Sequence, residues 1–413
     1  MTPIYNAGIS LYRLAAKLAA KRSNKVASML DGQQATMRRI GEECRRIAPD
    51  GYDLWVHAAS LGEFEQGRPL MERFRREHPE AKILLSFFSP SGYEVRKNYA
   101  VADTVLYLPF DRPSDVKYFV NSVKPRVAVF VKYEFWGNYI TALKHFGTRV
   151  YLISAIFRTK QIFFRPWGFE FRRILRSYEH IYVQDENSAK LLSGIGINNV
   201  TVAGDTRFDR VRDISAARCE LPEVEAFCSD SEFTLVAGSS WPRDEDVYID
   251  WLHKHPEAKA ICAPHEFDSG RLKSLLQRFG DGAMLYSRFV TEKPIPSSVK
   301  YLIVDCFGLL GSLYRYGDAA IIGGGFGAGI HNLNEAAVYG IPVIFGPKHH
   351  KFKEASDLIA CGGGFCINDA SSGGAVLDCL LADDEARSRA GKAAGDYISD
   401  SIGATDIIYS DIF

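Results

Sequence analysis

The segment Ala319–Pro347 reads AAIIGGGFGAGIHNLNEAAVYGIPVIFGP: an apolar run, a cluster of glycines, a polar turn and a second apolar run. Glycines let a backbone approach a ligand closely, and free N–H groups at the start of a following helix favour an anion. The turn Gly323–Glu335 is therefore a candidate phosphate site, with Gly325, Gly327 and His331 on its loop and a helix expected from Leu333 or Asn334. Glu335, in the first turn of that helix, can accept from ribose hydroxyls. A dinucleotide fingerprint is the rival reading, because Gly323-x-Gly325-x-x-Ala328 meets its permissive form. Against it, the next strand, Ile341–Phe345, ends in Gly346-Pro347 with no acidic residue for a ribose diol.

A second constellation is WVHAASLGEF, Trp55–Phe64, in which a strand ends in small residues and delivers Ser60, Gly62 and Glu63 to a helix start. A carboxylate there can take the proton of an attacking hydroxyl; helix capping alone is the plainer alternative. In VKYEFWGN, Val131–Asn138, period-two alternation places Lys132 and Glu134 on one strand face, as cleft groups or as an ion pair. Shorter strand ends, with Ser239-Ser240, Pro264-His265-Glu266 and Gly204-Asp205-Thr206-Arg207-Phe208-Asp209, offer hydroxyl, imidazole and guanidinium donors to phosphate oxygens.

Parallel strands must position these groups. Short β-rich runs alternate with helical stretches from about residue 53, the pattern of βα units. Strands are expected at Leu54–Ala58, Ile83–Phe88, Thr104–Leu108, Val127–Val131, Val150–Ser154, Ile181–Val183 and Val200–Ala203. The pattern restarts with Thr234–Ala237, Ala260–Ala263, Met284–Tyr286, Leu302–Val304, Ala319–Ile322 and Val343–Phe345. At 413 residues the chain exceeds one usual hydrophobic core. The expected division is an N-terminal domain 1–206, a charged linker 207–231 containing Pro222, a C-terminal domain 232–390, and a last helix 391–413 packing back on the first domain.

Charge excludes some classes. Lys+Arg and Asp+Glu balance at 50 each, without the basic excess that nucleic-acid binding calls for. The first 46 residues are locally basic, from Arg13 and Lys17 to Arg45 and Arg46. Residues 4–22 look amphipathic, with Ile4, Leu11, Tyr12, Ala15 and Leu18 opposed to Arg13, Lys17 and Lys21, so residues 1–25 are a candidate helix for an anionic membrane interface. A helix packed on its own domain is the alternative. Arg68, Arg73, Arg75 and Arg76 add to the groups available to lipid phosphates. No apolar run reaches membrane-spanning length, no signal-peptide pattern is present, and the eight cysteines contain no C-x-x-C pair, so free thiols and no structural metal are expected.

In this order the segments resemble the 3-deoxy-D-manno-octulosonic acid (Kdo) transferases, which attach Kdo to a lipid A precursor. HAASLGE (His57–Glu63) and HNLNEAAVYGIPVIFGP (His331–Pro347) carry the resemblance, supported by KYEFWGN, GDTRFD and AGSSWP. It implies a GT-B architecture, two Rossmann-like, doubly wound α/β domains facing a central cleft, and an inverting, metal-independent transfer from CMP-Kdo with no cofactor. It implies a place on the cytoplasmic face of the inner membrane. It gives Glu63 the role of base, Glu134 and Arg207 that of stabilising the transition state, and Ser60, Gly62 and Arg68 contacts to the acceptor. Ser239, Ser240, Pro264, His265, Phe307, Gly308, Leu309, Gly325, Gly327, His331, Asn332, Leu333, Asn334 and Glu335 would bind CMP. The chain departs from the family pattern at Leu309, where a Glu is usual, and at Arg207, where a Lys is common. Other readings of the same fold are a nucleotide-sugar epimerase or a transferase of another sugar; an inactive nucleotide- or lipid-binding protein is a third.

Overall fold

A computed structural model of the chain describes residues 1–217 and 219–413. They form two units: Met1–Arg210 joined by Gly403–Phe413, and Val211–Ile402.

The first unit is built on seven parallel strands, β1 (Leu54–Ala58), β2 (Ile83–Phe87), β3 (Thr104–Tyr107), β4 (Val127–Val131), β5 (Arg149–Ala155), β6 (His180–Val183) and β7 (Val200–Val202). Their order is β3-β2-β1-β4-β5-β6-β7. Every residue of β1, β2 and β4 is buried, because helices cover both faces of such a sheet, and this is why these strands read as apolar runs without alternation. On one face the fully buried Trp55 ring meets Phe119, Phe130 and Tyr139 at centroid distances of 5.3, 5.4 and 5.9 Å. Its indole N–H donates to Ser86 Oγ at 2.8 Å, so the large ring is buried without an orphaned donor.

The second unit repeats the plan with β8 (Phe233–Ser240), β9 (Ala258–Pro264), β10 (Ala283–Leu285), β11 (Tyr301–Ile303), β12 (Ala319–Ile322), β13 (Val343–Phe345) and β14 (Gly364–Cys366), in the order β10-β11-β9-β8-β12-β13-β14. In each sheet the winding reverses beside the first strand of the unit. Those reversals lie between β1 and β4, which pair His57 with Phe130, and between β8 and β12, which pair Gly238 with Ile322. Ligands of doubly wound sheets bind beyond the carboxyl ends of strands at such a reversal.

Three expectations on organisation differ from the structure. Strand β14 had no counterpart; it follows Gly362, whose φ of +85° ends the Lys353–Cys361 helix, within what reads as a plain Gly362-Gly363-Gly364 tract. Segment 207–231 is not an open linker but carries helices Arg207–Ala216 and Pro222–Cys228, the second burying Val224 and Phe227. The last residues do not return as one helix. Asp384–Asp400 stays with the second unit, and the chain then turns at Gly403, whose φ of +114° no continuing helix allows. Helix Ala404–Ile412 joins the first unit, burying Ile408, Tyr409 and Ile412. Its start is held by the buried Asp209 carboxylate, which accepts from Gly403 N, Thr405 N and Thr405 Oγ1, each at 2.7 Å.

The N-terminal helix, Pro3–Ala20, starts where Thr2 Oγ1 accepts from Tyr5 N at 3.4 Å and Pro3 occupies the first turn. Tyr5 anchors it, its hydroxyl donating to Asp111 at 2.7 Å and accepting from Gly137 N at 2.9 Å. The opposite face carries Ile4, Leu11, Leu14 and Leu18, exposed at 81, 67, 55 and 58%. The helix is thus apolar on the side it buries and on the side it shows. Among the described residues, no helix is long and apolar enough to cross a membrane.

Candidate active site

In the first unit, β1 hands the chain through Ser60 to helix Leu61–Glu77, placing Glu63 in its first turn. The Ser-x-x-Glu spacing suggests a capping box, but Ser60 makes no side-chain cap bond. Its hydroxyl donates instead to Glu63 Oε2 in a short contact. Glu63 is half-buried at the start of its helix. Gly62 is exposed beside it, with only Ser60 Oγ near the place a Cβ would take.

Strand β4 ends at Val131, and Lys132 follows with a φ of +68°. This left-handed residue breaks the period-two alternation, so Lys132 and Glu134 do not share a strand face as expected. Glu134 is buried, and its Oε2 accepts from His57 Nε2 at 2.8 Å and, at closer range, from Trp136 Nε1. His57 Nε2 faces an acceptor-only carboxylate and so donates to it, while Nδ1 lies 2.9 Å from Ser86 Oγ and 3.1 Å from the Ser86 carbonyl. Tyr178 donates to the Glu134 carbonyl at 2.5 Å. Both side-chain bonds fall on Oε2. Tyr133, from the Glu134 loop, has its phenol pushed up by burial, opposed by the Arg158 guanidinium and aided by Glu63 and Asp185.

Arg207 reaches the same helix through its loop. Gln66, one turn past Glu63, donates to Asp205 at 3.2 and 3.3 Å, and its carbonyl accepts from Thr206 Oγ1 at 2.5 Å. Asp205 in turn accepts from Arg207 N at 3.0 Å, Nε at 2.9 Å and Nη2 at 2.7 Å. Burial pushes the Asp205 carboxyl up, but the Arg207 guanidinium outweighs it and holds the group below the ordinary range. Arg68 is engaged locally, with Glu72 at 2.7 Å and Glu65 at 3.4 Å, and Arg73 and Arg75 are bonded to Glu77, Asp406 and Asp103.

In the second unit the glycine turn leaves β12 at Gly323. A Cβ there would lie 2.1 Å from the Ser239 carbonyl, so only glycine lets this turn cross the end of β8. Asp244, buried at the start of helix Pro242–Lys254, accepts from Trp241 N and from Gly324 N at 2.9 Å each, fixing the loop from below. Burial raises its carboxyl, opposed by those backbone bonds. Trp241, His265 and His331 stack in sequence, with centroids 4.6 Å and 4.5 Å apart. Trp241 Nε1 donates to His331 Nε2 at 3.3 Å, and burial, with His265 alongside, lowers the His331 pKa, so this imidazole is neutral. A cavity of about 530 Å³ lies against this wall, lined by Trp241, Asp244, Gly324, Gly327, Gly329 and His331. That volume suits a small-molecule ligand.

Other expected donor residues divide. Asn332 is exposed, donates to Glu335 at 3.0 Å, and accepts from Asn334 N at 3.2 Å. The Asn334 side chain is fully buried with neither amide atom bonded within the protein. Leu333 is also fully buried and offers only backbone. The helix expected here is a single turn, Asn334–Ala337, so loop N–H groups rather than a helix dipole must meet an anion. The Ser240 hydroxyl faces the core, 2.9 Å from Tyr248 OH, leaving the half-buried Ser239, at φ +51°, as the serine at the strand mouth. Pro264 closes β9, His265 N bonds to the Ser240 carbonyl at 3.0 Å, and Phe307, 86% exposed, packs on Phe267 ahead of Gly308 and Leu309.

His57, Ser86, Trp136, Trp241 and Asp244 were not singled out from sequence. Only Asp244 left a local signal, as the acid two residues after Pro242 at a helix start. Among the described residues no cluster of three or more His, Cys, Asp or Glu could hold a metal ion, and all eight cysteines are free.

Residues 14–210 match the family model described as 3-Deoxy-D-manno-octulosonic-acid transferase (kdotransferase). The chain is 28% identical over 387 residues to the 3-deoxy-D-manno-octulosonic acid transferase of Bordetella pertussis, covering 87% of each chain. It is 27% identical over 336 residues to that of Chlamydia muridarum, 78% of this chain and 76% of the relative, and 28% identical over 314 residues to that of Aquifex aeolicus, 74% and 79%. By fold it is similar to UDP-GlcNAc 2-epimerase from Neisseria meningitidis, with a TM-score of 0.59 at 14% identity over 87% of this chain and 98% of that one. MurG from Acinetobacter baumannii follows at 0.53 and 10%, over 87% and 99%. At these identities the likeness establishes the fold, which is of the GT-B class.

Proposed function

We propose that this chain, a member of the 3-deoxy-D-manno-octulosonic-acid transferase family, transfers Kdo with inversion from CMP-Kdo to a hydroxyl of a lipid A precursor, without a metal. The observation that carries the reading is the state of Glu63: a half-buried carboxylate at the β1/β4 reversal that accepts from Ser60 instead of closing a capping box. In the reaction Glu63 takes the acceptor hydroxyl proton as the oxygen bonds to the anomeric carbon. The bond from that carbon to the phosphate oxygen breaks, and CMP leaves with the electron pair. One displacement of this kind inverts the anomeric centre.

Glu134 Oε1 and Arg207, fixed by His57 and Asp205, supply charge to the oxocarbenium-like transition state and the leaving phosphate. The Gly323–Gly329 loop, Ser239, the wall of Trp241, His265 and His331, and the Asn332–Glu335 turn hold the nucleotide, with Phe307–Leu309 at its rim lacking the carboxylate usual in the family. Ser60 and Gly62 meet the acceptor. Membrane association is part of the reading. Tyr12 on the N-terminal helix stacks on Phe88, 6.4 Å between centroids, and Phe88 meets Trp136 at 4.9 Å, so an aromatic row leads from the exposed apolar face to Glu134. Such a helix would lie on an anionic leaflet, on the cytoplasmic face of the inner membrane.

Product mass analysis after incubation with CMP-Kdo and a tetra-acylated lipid A precursor tests the proposal. Kdo added to the lipid supports it. Consumption of the nucleotide sugar without any acceptor would instead indicate an epimerase, the activity of the fold neighbour.

A further inference from the structure

Among the residues lining the cavity of about 530 Å³ in the second unit, Arg243 is the side chain with a permanent positive charge. It stands exposed in the first turn of helix Pro242–Lys254 and, among the described residues, has no hydrogen bond or ion pair. The three acids that follow it in sequence are held elsewhere. Asp244 accepts from Trp241 N and Gly324 N, Glu245 is buried against Arg271 and Arg278, and Asp246 bonds to Arg278 at 2.6 Å. The guanidinium is therefore left to a ligand or to solvent.

The loop that forms the rest of the wall is poorer in free donors than its glycines suggest. Gly323 N donates to the Gly238 carbonyl at 2.9 Å and Gly324 N to Asp244 at 2.9 Å. Gly327 N and Gly329 N donate to the Gly324 carbonyl at 2.9 and 3.1 Å, and His331 N to the Gly323 carbonyl at 3.1 Å. The His331 ring is neutral, its pKa lowered by burial and by His265. With these five amides bonded inside the protein, the charge that matches an anion in this cavity comes from Arg243.

A guanidinium presents its N–H groups as a planar fork that fits the two oxygens of a carboxylate. The family model is named for an octulosonic acid, a sugar that carries such a group. Every nucleotide sugar has a phosphate, but only an acidic one adds a carboxylate. The cavity, moreover, has the volume for a sugar and not merely for a phosphate.

We propose that Arg243 binds the carboxylate of the donor's sugar and so selects an acidic nucleotide sugar over a neutral one. The inference deepens the donor side of the proposed function and rests on that reading.

Calorimetry on the full chain without acceptor tests it, with CMP and with CMP-Kdo as ligands. Both carry the phosphate, and only the second carries the carboxylate. Arg243→Gln removes the charge at an exposed position without partners, so the fold does not depend on it. It is expected to raise the Kd for CMP-Kdo about tenfold, the scale of a lost hydrogen bond between charged groups, and to leave CMP binding unchanged. Arg243→Lys keeps the charge without the fork and should recover part of that loss. An equal loss on both ligands would assign Arg243 to the phosphate, and no loss on either would make it a solvated surface charge; each result overturns the assignment. Transfer is read separately by mass analysis. A protein that shows the selective loss yet transfers nothing would refute the transferase and not the role of Arg243, whereas a wild type that binds neither ligand refutes both.

Discussion

His57 Nε2 lies 2.8 Å from Glu134 Oε2, with the imidazole wholly buried and the carboxylate nearly so. The bond fixes which oxygen of Glu134 faces inward, and Ser86, itself fixed by Trp55, holds the far side of the imidazole. His57→Gln keeps some polarity but loses the oriented N–H. Turnover is expected to fall about tenfold or more, the scale of one hydrogen bond to a charged group, while nucleotide affinity holds. Nitrogen NMR of the wild type should find the proton on Nε2; a proton on Nδ1 alone would contradict the arrangement.

Asp205 and Arg207 make a pH-dependent anchor. The Asp205 carboxyl is held below its ordinary value of about 3.9. Its contribution to stability is therefore complete above that value and is lost as pH falls through the lower folded one. Acid unfolding of Asp205→Asn should lack this component, so the stability difference from wild type should shrink as pH drops below about 4. A difference that stays constant into acid would show that the pair contributes no ionic stabilisation.

Gly323→Ala places a methyl 2.1 Å from the Ser239 carbonyl, a backbone atom that cannot step aside. Destabilisation of about 1–3 kcal/mol is expected, with loss of CMP binding, measured by denaturant melts and calorimetry. Gly327→Ala meets nothing closer than the Gly324 carbonyl at 3.5 Å and should be tolerated in stability.

Leu11→Ser with Leu18→Ser alters residues 67 and 58% exposed, so thermal stability should hardly change. Membrane partition should fall at least tenfold, because burying each leucine in lipid is worth about 1.5–3 kcal/mol. Unchanged flotation with anionic vesicles would remove the membrane role of this helix.

Much of the frame is legible in sequence, for a physical reason. Strands such as Leu54–Ala58 and Val127–Val131 are buried on both faces, so composition alone marks them. Strand Gly364–Cys366 begins on a glycine and has no β-branched residue to mark it, and helix Arg207–Ala216 hides its buried Phe208 and Val211 among charges. That Glu63 opens a helix after β1 and that a glycine turn follows β12 were legible because each depends on neighbours in sequence. The partners that orient the site were not. Ser86 reaches His57 across 29 positions and Glu134 reaches it across 77, pairings only the sheet creates. Nor did any local pattern announce the positive φ of Lys132, which undid the expected strand face.

Glu63→Gln tests the central claim most directly. The substitution keeps the shape of the side chain and removes its basicity. In the folded, CMP-binding variant, formation of Kdo-modified lipid from CMP-Kdo, followed by mass analysis, is expected to slow by about 10²–10⁴-fold with nucleotide affinity unchanged. Transfer at near wild-type rate would contradict the assignment of Glu63 as the base.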